Sequence, residues 1–183
     1  SIPPARNHEI LWKVIQKLSL ELPGFSEHFK LKLIGKTDIG VRKSIQKYHL
    51  EKYCELIEYI PHAKAIEMQQ SAQMLLLLVN NSGNAKSILT GKFFEYLAAQ
   101  RPIIAIGPTD GEMNRILQDS QAGACADFDD AKALENILTE NFKKFQSQNP
   151  LTISSSGIEK YSRRSLTREM SMVFEQVLSR HEK

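Results

Sequence analysis

No apolar run in these 183 residues approaches the ~20 needed to cross a bilayer. The longest, Met74 to Val79 in "QMLLLLVNN", has the length of a buried strand. Cysteine is scarce. Cys54 and Cys125 stand far apart and in no metal-like spacing, so a reduced, cytoplasmic protein is expected. Charge of one sign is scarce as well: a net charge of +3, evenly spread, is too weak a bias for a nucleic-acid surface, and no nucleic-acid partner is expected. The histidines are scattered, none paired at i, i+4 with another histidine or a cysteine, which argues against a zinc site. With no Gly-x-Ser-x-Gly elbow and no Cys–His pair, hydrolase chemistry has no visible nucleophile. The opening "SIPPARNHE" resembles neither a signal nor a transit peptide. It reads like the middle of something longer, so residues are expected upstream of Ser1. There is no internal repeat at a fixed period.

What is present is a globular composition, 42% hydrophobic and 25% charged, long enough to bury a core as one domain, or one domain with an appendage. Helical and strand-like stretches alternate. Ile10, Leu11, Val14, Ile15 and Leu18 form a stripe that predicts a helix over 8–21, ended by Pro23-Gly24. "LKLIG" (31–35) reads as a strand, Val41, Ile45 and Tyr48 as a helix, and "CELIEYI" (54–60) as a strand stopped by Pro61. A helix over 62–72 and a fully buried strand over 73–79 follow, then a helix from about 91 to 100 and the strand "IIAIG" (103–107). Thr109 and Glu112 have capping-box spacing ahead of Ile116 and Leu117. "GACADF" (123–128) is a weaker strand. Asp129 or Asp130 caps a helix bearing Leu134, Ile137, Leu138 and Phe142. After a polar connection over 147–157, Leu166, Met170, Val173, Phe174 and Val177 mark one face of a final helix.

Strands that are apolar throughout, alternating with helices, predict an α/β fold: a Rossmann-like, doubly wound parallel sheet covered on both faces, plus a C-terminal helix. The division expected is 1–150 for the sheet domain and 151–183 for the final helix. One oddity stands out. Such a unit normally opens on a strand, and this chain opens on a loop and a helix, so a first strand is expected upstream, or Ser1-Ile2 is its stub. Ligands of such sheets bind beyond the carboxyl ends of the strands. That rule singles out the loops at 35–36, 59–62, 80–91 and 107–111.

The stretch "ILTGKFFEYLAAQRPIIAIGPTDGE" (88–112) carries the chemistry. At Thr90-Gly91 a loop becomes a helix, and glycine there lets first-turn amides approach a ligand. Those amides and the helix dipole favour an anion, phosphate above all. Lys92 adds a positive charge, and Glu95, one turn on, offers two acceptor oxygens to a diol such as a ribose. Arg6 is a further phosphate candidate. A lysine and a glutamate in a helix's first turn are also commonplace without any ligand, since the dipole alone favours the acid. Other patterns carry less. "GKT" (35–37) lacks the upstream glycine of a P-loop, because Lys30 stands there. "DFD" (127–129) matches an Asp-x-Asp metal motif, but a capping aspartate explains it more simply. His62, after a strand end, is a helix-start or solvated histidine first.

The order from "YIPHAKAIEMQQ" through "GKFFEYLAAQRPIIA" to "GACADFDDAKALENIL" resembles the carboxyl-terminal half of bacterial group 1 (family 4) glycosyltransferases, which have the two-Rossmann-domain GT-B fold. "GKFFEYLAAQRPIIA" carries the likeness most strongly, and "SIPPARN" is similar to the end of the Gly-rich loop that opens this half. The resemblance implies a donor-binding half whose acceptor-binding, amino-terminal domain is absent, with the final helix packing toward that partner. It implies a nucleoside-diphosphate sugar as substrate and no metal or other cofactor. A retaining reaction, a role in surface polysaccharide assembly and peripheral association of the full-length enzyme with the inner face of the cytoplasmic membrane are further implications. By the same resemblance Glu95 is the second glutamate of the Glu-x7-Glu motif and holds the ribose. Ser87 stands where the first, sugar-contacting glutamate belongs, a departure from the pattern. Arg6 and Lys92 face the diphosphate, Thr90 and Gly91 belong to the same helix start, and the backbone from Tyr59 to Pro61 borders the base. Two other readings stay open. One is a sugar-nucleotide epimerase of the same fold, with His62 or Glu112 as its acid or base. The other is a non-catalytic module that docks through an exposed apolar patch.

Overall fold

The computed structural model describes residues 6–148, 151–153 and 157–181. Helix α1 (Glu9–Glu21) buries Leu11, Trp12, Val14, Ile15 and Leu18, the residues of its apolar stripe. A short helix that the periodicity did not signal, α2 (Phe25–His28), follows at once. It seats Phe25 against Phe29 at 4.6 Å and Phe142 at 5.2 Å between ring centroids. Strand β1 (Leu31–Ile34) leads to α3 (Ile39–Lys47), where the Asp38 carboxylate accepts from Gly40 N–H at 2.7 Å. Then come β2 (Cys54–Ile57), α4 (His62–Ser71), β3 (Leu75–Leu78), α5 (Gly91–Ala98), β4 (Ile103–Ile106), α6 (Glu112–Asp119), β5 (Gly123–Ala126), α7 (Ala131–Gln146) and α8 (Arg163–His181).

Every strand pair is parallel, and the α/β alternation read from the sequence holds. The strands form two ladders, however, β1-β2 and β3-β4-β5. Strand β4 explains the apolar burst after Arg101-Pro102: all of its residues are buried. Ile104 and Ile106 face the cluster built by α1, α3 and α7, whereas Ile103 and Ala105 face Phe93, Leu97, Met113, Ile116 and Leu117 of α5 and α6. Each fully buried Leu, Ile or Phe contributes about 1.5–3 kcal/mol relative to exposure.

Several local expectations are corrected. Strand β2 stops at Ile57 rather than at Ile60, because Glu58 to Ile60 leave the ladder ahead of Pro61. Thr109 does not cap α6. Gly111 takes the N-cap position, and the Thr109 carbonyl instead accepts from Asn114 Nδ2 at 2.6 Å. Of the two candidate caps on α7, Asp130 does the work, accepting from Ala133 N–H at 2.8 Å. Leu151 is buried, and Ile153, Ile158 and Tyr161 pack on the α5–α6 core before α8 begins. The apolar stripe of α8 is present but faces solvent: Leu166, Met170, Val173, Phe174 and Val177 are all exposed. The expected connection over 147–157 falls partly outside the described residues. No helix among the described residues is long and apolar enough to cross a membrane.

One charged cluster fastens α1 to α3. Glu9 accepts from Lys47 at 2.7 Å and from the Tyr48 hydroxyl, and the Lys47 hydrogen bond does most to lower its pKa, to about 2. A carboxylate whose pKa is depressed on folding stabilises above its ordinary value and loses that contribution as pH falls through the depressed one. Stability is therefore expected to fall between pH 4.5 and about 2, in part through this residue. Denaturant titrations of Glu9→Gln across that window are expected to give a shallower pH dependence than the parent. An unchanged slope would mean that the exposed cluster is too well screened to matter.

Candidate functional site

The carboxyl end of β3, the loop at 80–90, the start of α5 and Met113 of α6 enclose a small cleft lined by Arg6, Leu78, Val79, Thr90, Phe93 and Met113. The residues ahead of α1 reach it from far away in sequence. Arg6 Nε donates to Asn80 Oδ1 at 2.7 Å, across 74 residues of chain. His8 Nε2–H donates to the Val79 carbonyl at 2.7 Å, which puts its proton on that nitrogen, and its ring lies 5.1 Å from that of Phe128. Burial pushes the His8 pKa down, aided by the nearby Arg6 charge and opposed by the Val79 hydrogen bond and Asp129. Behind them Asn7 accepts from Trp12 Nε1 at 2.7 Å and donates to Ser44 Oγ at 3.0 Å, so this entry segment is tied to both α1 and α3.

Thr90 precedes the first turn of α5 in extended geometry, and its carbonyl accepts from Phe93 N–H at 2.9 Å. Its side chain makes no capping bond, which leaves the hydroxyl at the cleft. A Cβ built on Gly91 would meet nothing within 4 Å. The protein itself therefore makes no steric demand for glycine here. Lys92 has an exposed side chain whose ammonium swings back over the Tyr96 ring, 5.3 Å from the centroid. Crowding by protein around that ammonium pushes its pKa down, the Arg6 charge adds to the effect, and Glu95 opposes it. The Arg6 charge is thus felt at Lys92, whose ammonium lies over Tyr96, one turn along the helix from its N–H groups. Glu95 lies one turn further along the same helix and is exposed.

The other candidates are more distant. Ser87 ends a 3-10 turn (Ala85–Ser87) in the 80–90 loop and is exposed. The neighbouring Lys86 reaches across to Asp110 at 2.5 Å, tying this loop to the one after β4. Tyr59, 86% exposed, and Pro61 follow β2, a strand of the other ladder. Sequence reasoning missed His8 and Asn80. The only signal for Asn80 was a polar residue at the exit of an apolar strand, and His8 gave none.

The sequence matches no family model and no curated protein. Solved structures do match, and at these identities the likeness is one of fold. Sucrose-phosphate synthase from Thermosynechococcus elongatus is 16% identical with a TM-score of 0.69, covering 97% of this chain and 44% of its own. A glycosyltransferase from Rickettsia africae ESF-5 is 13% identical with a TM-score of 0.72, covering 97% of this chain and 46% of its own. An S. aureus TarM variant, 14% identical with a TM-score of 0.65 and covering 94% of this chain, was solved in complex with fondaparinux, alpha-GlcNAc-glycerol and UDP. The chain has the Rossmann-like fold found within these GT-B glycosyltransferases. It spans less than half the length of the structures it matches.

Proposed function

We propose that this chain is the donor-binding, carboxyl-terminal half of a glycosyltransferase and holds the nucleoside-diphosphate part of a sugar donor in the cleft at the start of α5. The observation that carries the reading is that Arg6 lines the cleft with Thr90, at the carboxyl end of β3 and the start of the helix that bears Lys92. Arg6, Lys92 and the first-turn amides at Thr90, Gly91 and Lys92 would hold the diphosphate. Glu95 would take the ribose hydroxyls, Ser87 would lie on the sugar side, and the backbone at Tyr59 to Pro61 would border the base. As the donor's glycosidic bond breaks, negative charge grows on the departing diphosphate. Fixed dipoles and cations stabilise it without a metal ion, and losing one such contact typically costs ~3 kcal/mol of barrier. Retention of the anomeric configuration, a role in polysaccharide assembly and a peripheral place on the inner face of the membrane belong to the same proposal. So does an amino-terminal acceptor domain as the cover for the exposed face of α8, whose residues would otherwise leave a large apolar patch in water.

Calorimetric titration with UDP and GDP tests the reading. One of them is expected to bind, and Lys92→Ala and Glu95→Ala are each expected to weaken it by roughly ten- to a hundredfold, the worth of one hydrogen bond to a charged group. Gly91→Ala is the sharper variant. Nothing in the protein opposes the added methyl, so thermal stability should stay within about 0.5 kcal/mol of the parent while nucleotide affinity drops. Equal affinity in Gly91→Ala would remove the helix start as the diphosphate cradle. Absence of any nucleotide binding by the folded chain would sink the proposal.

A further inference from the structure

Among the described residues the Arg6 side chain has a single hydrogen-bond partner, and it reaches that partner through Nε. The partner is Asn80, 74 residues away, which accepts through Oδ1 at 2.7 Å. Arginine only donates, so the amide must turn its oxygen toward the guanidinium. A guanidinium offers two edges to an anion, one formed by Nε with an Nη group and the other by both Nη groups. Asn80 takes the first edge. The second stays available at the cleft that Arg6 lines with Val79 and Thr90.

Both ends of this bond start from fixed backbone. Asn80 follows directly on Val79, whose N–H donates to Ile106 O at 3.0 Å and whose carbonyl accepts from His8 at 2.7 Å. On the other side, Asn7 is bonded to Trp12 and to Ser44, and Ser44 Oγ donates in turn to Gly40 O at 3.1 Å. The backbones carrying Arg6 and Asn80 are thus held independently of the bond between them. What that bond adds is the placement of a long side chain, which otherwise samples many rotamers and must be ordered when a ligand binds. The kind of acceptor matters as well. An amide oxygen holds the Nε–H without neutralising the guanidinium, whereas a carboxylate would form an ion pair and quench the charge.

We propose that Asn80 is a positioning residue: it holds the Arg6 guanidinium by Nε before any ligand arrives, so that a diphosphate meets Arg6 through the Nη edge alone. The inference rests on the diphosphate site proposed above and names the residue that prepares it. Asn80 touches no phosphate and acts only through Arg6. Two consequences follow from the chemistry. Nε stays with Asn80 in the free and the bound chain, and only the Nη protons change partner. Asn80 and Arg6 also act as a unit, so their effects on affinity do not add.

Nitrogen NMR of the arginine side chains, with calorimetry on UDP, GDP and inorganic pyrophosphate, tests it. In the free chain Arg6 Nε–H, identified by its absence in Arg6→Lys, is expected to give a slowly exchanging resonance. Asn80→Ala is expected to lose that protection, and Asn80→Asp, which keeps the acceptor, to retain it. A bound probe is expected to shift the Arg6 Nη signals and leave the Nε signal in place. Asn80→Ala is expected to weaken binding roughly two- to tenfold, the cost of ordering one long side chain, while its melt stays cooperative. In an Arg6→Ala background the same substitution is expected to change nothing further. An Nε–H resonance indifferent to Asn80→Ala would overturn the proposal, and so would a probe that draws Nε away from Asn80. A further loss of affinity in the Arg6→Ala background would make Asn80 a contact of the ligand in its own right and overturn it too. A parent chain that binds none of the probes removes the diphosphate site and this inference with it. Binding that survives Asn80→Ala unchanged removes this inference alone.

Discussion

Gly123→Ala is expected to lower the thermal midpoint by about 10 °C, an effect of ~3 kcal/mol in a chain of this size. A Cβ placed on Gly123 would lie 1.9 Å from the Ile103 carbonyl oxygen and 2.7 Å from its carbon, both backbone atoms of the adjoining strand. Flexible side chains can turn aside; a paired backbone cannot. Strand β5 would have to peel away from β4, breaking the hydrogen bond from Ile103 N–H to Ala122 O and the register Ile103 to Gly123. Both faces of β4 depend on that contact, since Ile103 and Ile104 serve opposite cores. Gly83→Ala is the control. Its Cβ would meet nothing within 4 Å, and its midpoint should match the parent's. Circular dichroism melts of the three proteins decide the matter, and a Gly123→Ala midpoint equal to that of Gly83→Ala would show that β5 can shift at little cost.

Trp12→Ala is expected to cost ~3–5 kcal/mol, the range for deleting a buried aromatic. Trp12 is 0% exposed and packs at the centre of the α1–α3–α7 cluster. It has a second duty that volume alone does not capture. Its indole N–H donates to Asn7 Oδ1, so it holds the segment carrying Arg6 and His8 over the end of β3. Trp12→Phe separates the two roles. It keeps most of the apolar contact and removes the donor, at an expected cost of ~1–3 kcal/mol for the unpartnered oxygen. If the entry segment forms the cleft, Trp12→Phe also weakens nucleotide binding while denaturant melts still report a cooperative fold. Binding unchanged from the parent would uncouple Trp12 from the site.

Much of this architecture is readable along the chain because local patterns fix it. The stripe of α1, the wholly apolar β4, the aspartate at the start of α7 and the Thr-Gly-Lys entry to α5 all lie in short windows. Their physical causes are helical periodicity, burial on both faces and side-chain capping, and each acts within a few residues. The misreadings have equally local causes. Thr109 and Glu112 have the spacing of a capping box, but the chain at Gly111 approaches the Lys86 backbone to 3.1 Å from where a Cβ would stand, and the helix begins there instead. Helix α2 is too short for periodicity to signal, and Phe25, stacked on Phe29 and edge-on to Phe142, holds it.

By itself the sequence determined the order of strands and helices apart from α2, their apolar faces and the Gly91-Lys92 helix start, since all of these depend on neighbours in the chain. Only the tertiary structure decided that Arg6 meets Asn80, that His8 meets Val79, and that Leu33 of β1 and Leu78 of β3 share one core. It also left the apolar stripe of α8 in solvent, although the pattern alone reads as a buried face. The reason is physical: periodicity tells which side of an element avoids water, whereas the partner that covers it depends on strand order and crossover, which join residues far apart in the chain.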